Sequence, residues 1–253
     1  MNLPSICLSI AVGAALCGPA RADAPPLPRP RPADAPAVAV IEREPSACQV
    51  RLMALAQFEP MAPRPDAGGC GAADLVRVSA IQLATGAVTV TPPAELRCEM
   101  AEQLALWIRD DAMPQFAPNM LAGIENYDSY DCRARNRVKG ARISEHGKGN
   151  AIDIRAFDLA GGKVVRPTDV TVPHALRDKL REAACARFTT VLGPGSDGYH
   201  EAHIHLDLAE RHNGYRICHW EVNDPGAVTV AAIPLPPARP SGLNDKSTEL
   251  PSK

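Results

Sequence analysis

Apolar and polar positions in the middle of the chain alternate in some stretches and recur at helical spacing in others. Val76 and Val78, then Val88 and Val90, fall in short alternating runs joined through Gly86 and predict two strands. Thr91 reads as a cap and Pro92 as a first-turn residue, so a helix is predicted to open there. Leu96, Met100, Leu104, Trp107 and Ile108 follow at helical spacing, a stripe read as core. Phe157 to Val165 reads as a strand and a turn through Gly161 and Gly162. Pro173 opens a helix with Leu176, Leu180, Ala184 and Phe188 on one face, and residues 189–192 form a short strand. In Ala151-Ile152-Asp153-Ile154 and again in His203 to Leu208, branched apolar residues alternate with small, polar or ionisable ones, the period of a half-buried strand. The expected fold is α+β: a small antiparallel sheet with packed helices.

The two ends carry no such pattern. Residues 1–22 read as a signal peptide, with a short apolar core from Ile6 to Leu16 and a small-x-small site at Ala20-Arg21-Ala22. Residues 23–47 are Pro-rich and predict an extended linker, and residues 224–253 predict a disordered tail. One domain, 48–223, remains between them. Export places the chain in the periplasm or outside the cell, with no transmembrane segment in the mature chain. It also changes how the eight cysteines are read: Cys7 and Cys17 leave with the signal, and six remain for three disulfides in an oxidising compartment. Fifteen pairings are open; proximity along the chain favours Cys48–Cys70, Cys98–Cys132 and Cys185–Cys218. Loss of Arg21 leaves 26 of the 27 basic residues against 29 acidic ones, a net charge of −3. That sign argues against nucleic acid as a partner. Oligomeric state is not legible.

Four of the seven histidines lie in two short segments, Ser144 to Ile154 and His200 to Asp207. His146 and Asp153 are seven residues apart, about 23 Å if extended, so both reach one metal only if the chain folds back between them. Gly147 and Gly149 permit that turn. In the second segment His203, His205 and Asp207 share one strand face and Ile204, Leu206 and Leu208 the other. The reading is a zinc site with His146, Asp153 and His205 as ligands and a fourth position left for water. His203 then serves as general base or as stabiliser of a tetrahedral oxyanion, and Asp207 orients a ligand. His200 and Glu201, after a flexible glycine loop, are further candidates for proton transfer.

These residues carry a resemblance. The Ser144 to Ile154 segment is similar to the first metal motif of the lysostaphin, D-Ala-D-Ala carboxypeptidase and hedgehog-like group of zinc peptidases. Ser129-Tyr130-Asp131-Cys132-Arg133 resembles the carboxypeptidases' segment whose arginine contacts substrate, and His200, His203 and His205 are spaced as in penicillin-insensitive murein endopeptidases. Cys48 to about Trp220 most closely resembles the bacterial extensin-like C-terminal domain. The resemblance implies a hedgehog/DD-peptidase-like fold, His146, Asp153 and His205 as ligands, His203 as a catalytic partner, and Arg133 as a substrate or transition-state contact. The other arginines nearby, Arg135, Arg137 and Arg142, read as solvated charge. Together with export, it implies peptidoglycan peptides as substrate. One departure stands out: the carboxypeptidases' catalytic Glu falls at Ala202, and Glu201 is one residue off. Three functions follow: a zinc metallopeptidase of endopeptidase or carboxypeptidase type, a non-catalytic zinc-containing cell-wall-binding module, or a zinc amidohydrolase.

Overall fold

The computed structural model describes residues 44–84 and 86–223. The expected signal peptide, most of the Pro-rich linker and the expected tail lie outside the described residues. Ser46 caps the first helix, α1 (Ala47–Leu52), in a capping box with Gln49. Four strands follow, β1 (Ala56–Pro60), β2 (Arg64–Ala67), β3 (Cys70–Ala72) and β4 (Leu75–Leu83), and then the long β5 (Gly86–Arg97). Helix α2 (Cys98–Leu106) runs on through a π turn (Trp107–Ala112) and a 3₁₀ turn (Met113–Phe116) into β6 (Leu121–Asp128). After a loop come β7 (Ala151–Leu159), β8 (Val164–Val165), helix α3 (His174–Arg187), β9 (Thr190–Leu192), β10 (Ile204–Asp207) and β11 (Ile217–His219).

The main sheet has nine strands in the order β1-β4-β5-β6-β7-β10-β9-β11, with β8 on β7, while β2 and β3 pair separately. The fold is α+β, but the sheet is neither small nor wholly antiparallel. β5 pairs with β6, and β9 with β11, in parallel. The first parallel pair has a clear cause: residues 98–116 form a helical crossover between its strands, and such a connection returns the chain in the same direction. Trp107 closes the core. Its ring lies 6.1 Å from Phe157 on β7 and 5.9 Å, edge-on, from Phe188 after α3, so the crossover, the central strand and the last helix share one aromatic contact.

The helix expected to open at Thr91 starts instead at Cys98. Ala94 pairs with Val78 and Leu96 with Val76, so strand pairing overrides the local cap signal. Pro92 and Pro93 fall at the irregularity in the β4–β5 register, between Thr89 opposite Ala80 and Ala94 opposite Val78, where a residue without N–H is tolerated. Leu96 is therefore a strand residue, although it and the helical Met100, Leu104, Trp107 and Ile108 are all buried.

Three disulfides brace the domain, Cys48–Cys98, Cys70–Cys132 and Cys185–Cys218. The last matches expectation; the other two correct the pairing drawn from proximity. The β4–β5 hairpin sets Leu75 opposite Arg97 and carries Cys98 back beside α1. There Asp74 accepts hydrogen bonds from Ser46 and Gln49 of α1 and from the Cys98 backbone N–H. The pairing gives a direct test. Peptide mapping of the oxidised chain should recover a Cys48–Cys98 peptide, and replacing both residues by serine should cost about 4 kcal/mol in denaturant unfolding, as expected for a cross-link 50 residues apart.

Candidate metal centre

The first ligand segment is a tight turn built to bring its ends together. Ser144 caps a 3₁₀ turn, Glu145–Lys148, and Gly149 ends it in the left-handed conformation (φ 62°). The Gly149 carbonyl accepts from the Arg97 backbone N–H at 2.7 Å, and an added Cβ would lie 3.0 Å from that nitrogen. At Gly147 a Cβ would meet Cys70 Sγ at 2.9 Å, so the turn lies directly on the Cys70–Cys132 bridge. Glu145 is buried and clamps the turn, accepting from Lys148 Nζ and Asn150 Nδ2, both at 2.6 Å. β7 then starts, with Ile152 and Ile154 in the core and Asp153 on the opposite face.

The second segment is positioned by strand register. β10 pairs antiparallel with β7 and sets His205 directly opposite Asp153. The three expected ligands converge: His205 Nδ1 is 2.9 Å from Asp153 Oδ1, His146 Nε2 is 3.1 Å from His205 Nδ1, and His146 Nε2 is 3.2 Å from Asp153 Oδ1. All three residues are buried.

The outer contacts decide what those atoms are. His146 Nδ1 lies 2.6 Å from the Ser129 carbonyl, which only accepts, so Nδ1 carries the hydrogen and Nε2 of the neutral ring has a lone pair. His205 Nε2 lies 3.0 Å from Asp207 Oδ2, which in the same way leaves the Nδ1 lone pair facing inward. Two imidazole lone pairs and a carboxylate oxygen thus face one another with no donor among them, unless His205 takes a second proton. A divalent cation fits this donor set. The edges are close to the roughly 3.3 Å that separates ligands bound tetrahedrally at ~2.0–2.1 Å. Cys48, Asp74 and Cys98 also cluster, but their sulfurs are consumed in a disulfide.

Electrostatics match the geometry. Burial opposes ionisation of Asp153, yet hydrogen bonds to His146, His203 and His205 outweigh it and hold the carboxyl well below its usual range. Burial likewise disfavours protonated His205, but hydrogen bonds to Asp153 and Asp207 prevail and push its pKa up to about 10. Without a metal, a proton takes its place.

The centre lies in a cleft of about 760 Å³ that is also lined by His200, His203, Tyr127, Asp128, Asp197 and Arg133. His203 Nε2 is 3.3 Å from the second Asp153 oxygen, and its ring packs against Tyr127 at 5.0 Å. His200 Nδ1 donates to Asp197 Oδ1 at 2.7 Å, and the two imidazoles are 5.1 Å apart. Burial lowers the pKa of His200 in spite of Asp197, so its ring is neutral at pH 7. Arg133 is engaged from Nη2 to Asp128 (2.8 Å) and from Nε to Asp131 (3.0 Å). Glu201 does not line the cleft; its carboxylate accepts from the Gly195 N–H, which helps close the loop read as flexible.

Sequence reasoning missed Asp197, Asp128 and Ser129. Asp197 lies three residues before His200, a spacing that permits the contact. Asp128 stands opposite Asp153 across the β6–β7 pair, and Ser129 acts through its carbonyl, which no side-chain pattern reports.

Metal uptake must displace the His205 proton, so binding should release protons near pH 7 and weaken as pH falls, measurable by calorimetry in buffers of different ionisation enthalpy. In the metal-free chain, the raised His205 pKa contributes stability that is complete below about 6.5 and lost as pH rises through about 10. The lowered Asp153 pKa contributes stability that is complete above about 3.9 and lost as pH falls through the depressed value. Thermal unfolding of the metal-free chain should therefore show its optimum between about pH 4 and 6.5, and metal should move that optimum upward.

No curated protein and no solved structure matches the chain. A family model does: it spans residues 46–219 and takes in both ligand segments, the three disulfides and the cleft, so the chain belongs to the family described as extensin-like protein C-terminus.

Proposed function

We propose that the chain is an exported zinc metallopeptidase that hydrolyses peptide bonds in peptidoglycan stem peptides or cross-links. The observation that supports this most is the convergence of three acceptor atoms in a cleft that also holds two further histidines, one of them backed by a carboxylate. The motif likeness to hedgehog/DD-peptidase-like zinc peptidases and murein endopeptidases supplies the substrate class. Three disulfides fit an oxidising compartment, and among the described residues no helix is long and apolar enough to cross a membrane.

In this reading His146, Asp153 and His205 hold zinc, which when bound polarises a scissile carbonyl and lowers the pKa of a water from 15.7 to about 7. His203 accepts the proton of the attacking water and returns it to the leaving amine. His200 is a second acceptor beside it, its tautomer set by Asp197. Arg133 has both carboxylate contacts on Nε and Nη2, so among the described residues Nη1 has no hydrogen-bond partner and can donate to the developing oxyanion.

One observation favours the second reading, a zinc-containing cell-wall-binding module without turnover. Ala202 stands where the carboxypeptidases carry their catalytic Glu, and Glu201 is turned out of the cleft. Mass spectrometry of muropeptides incubated with the zinc-loaded chain separates the two. New products should appear, with masses that name the bond. His203→Ala should retain one zinc and lower the rate roughly 10²–10⁴-fold, as for loss of a general base. A broad muropeptide panel left intact with zinc bound would sink the peptidase and leave the binding module; cleavage at the sugar–peptide amide would make the chain an amidohydrolase.

A further inference from the structure

The segment between β6 and β7 presents three arginines to the cleft, Arg133, Arg135 and Arg137. Two carboxylates answer them. Arg133 pairs with Asp128 and Asp131, and Arg137 donates to the same Asp131 oxygen at 2.7 Å. Three cations against two anions leave one positive charge unmatched, and it is that of Arg135. Among the described residues its guanidinium has no carboxylate, carbonyl or hydroxyl partner.

The remaining acids of the cleft are engaged elsewhere. Glu145 binds Lys148 and Asn150, Asp197 binds His200, Asp207 binds His205, and Asp153 faces the centre. The other cleft cation without a carboxylate, Arg211, directs its donors to the Thr189 carbonyl and the Thr190 hydroxyl.

The free side chain of Arg135 stands on a fixed backbone. Its N–H donates to the Arg142 carbonyl at 2.9 Å, its own carbonyl accepts from Val138 at 3.0 Å, and the preceding Ala134 bridges Ile143. The next two residues, Asn136 and Arg137, are both left-handed (φ 52° and 57°), a conformation that costs non-glycine residues about 1–3 kcal/mol each. Asn136 Nδ2 ties this turn across the cleft to Asp197 at 3.3 Å, beside His200. Arg135 is exposed, and a held backbone that offers its uncommitted guanidinium to the cleft gives an anion contact whose planar fork suits a carboxylate.

We propose that Arg135 binds a free carboxylate of the ligand, so that the cleft takes a peptide carrying a carboxylate within the same cleft as the bond presented to His146, Asp153 and His205. Arg133, already neutralised, is not that contact. The inference rests on the peptidase reading for the ligand being a peptide; the carboxylate contact does not depend on turnover.

The test is calorimetric titration of the zinc-loaded full chain, in a His203→Ala background to stop hydrolysis, with acetyl-D-alanyl-D-alanine and with its C-terminal amide. The acid should bind roughly 10- to 100-fold more tightly than the amide, the range for a hydrogen bond to a charged group. Arg135→Ala should erase that difference by weakening the acid alone. Equal binding of acid and amide, no binding of either, or a preference that survives Arg135→Ala or is lost only in Arg211→Ala would overturn the proposal. A carboxylate preference that depends on Arg135, with muropeptides left intact, would remove the peptidase reading and leave this contact standing. Cleavage without any such preference would do the reverse.

Discussion

The antiparallel pairing of β7 with β10 is the constraint on which the rest depends. It sets Asp153 against His205, puts Ile152 and Ile154 and their partners Leu206 and Ile204 into one core, and turns three ionisable side chains to the other face. A slip of one residue would exchange those faces, burying charge and exposing the apolar set, so the core that stabilises the sheet also specifies the centre. The His146 turn, the Asp207 carboxylate and the Ser129 carbonyl then orient atoms whose positions the register has already determined.

What could be read from the chain alone follows from how local each feature is. His146, Asp153 and His205 were legible because strand alternation and a glycine turn are short-range signals, and His203 shares that strand face. The nearness of Asp128 to the centre was not, because Asp128 stands opposite Asp153 only through pairing of β6 with β7. The same limit explains the two misassigned disulfides: the β4–β5 hairpin brings Cys98 to Cys48, which chain distance does not show. At Thr91 and Pro92 a local helix signal was present and lost to the pairing of Thr91 with β6 and of Ala94 to Arg97 with β4, since cross-strand contacts and burial of Leu96 outweigh a cap. The parallel strand pairs were hidden for a related reason, as strand direction depends on where a crossover packs and not on composition.

The charge pattern of the cleft is as specific as its geometry. Each carboxylate near the centre has an assigned partner, and several of those partners are histidines or arginines of the same cleft. The site is therefore a connected network, in which removal of one charge leaves another buried without its counterpart. Asp197 illustrates this: it accepts from His200, from the Tyr199 backbone and from Asn136, linking the histidine loop to the arginine turn. Substitutions at these positions are expected to couple rather than add.

The contact between Gly147 and the sulfur of Cys70 joins two parts of the chain that mature by different chemistry. The turn that carries the first ligand is walled by a bond that forms only under oxidising conditions. A newly made chain still in a reducing environment would have the ligand residues but not the wall behind them. Covalent maturation of the domain and the shape of its candidate metal centre are thereby coupled, because opening the Cys70–Cys132 bridge would remove the wall behind the His146 turn.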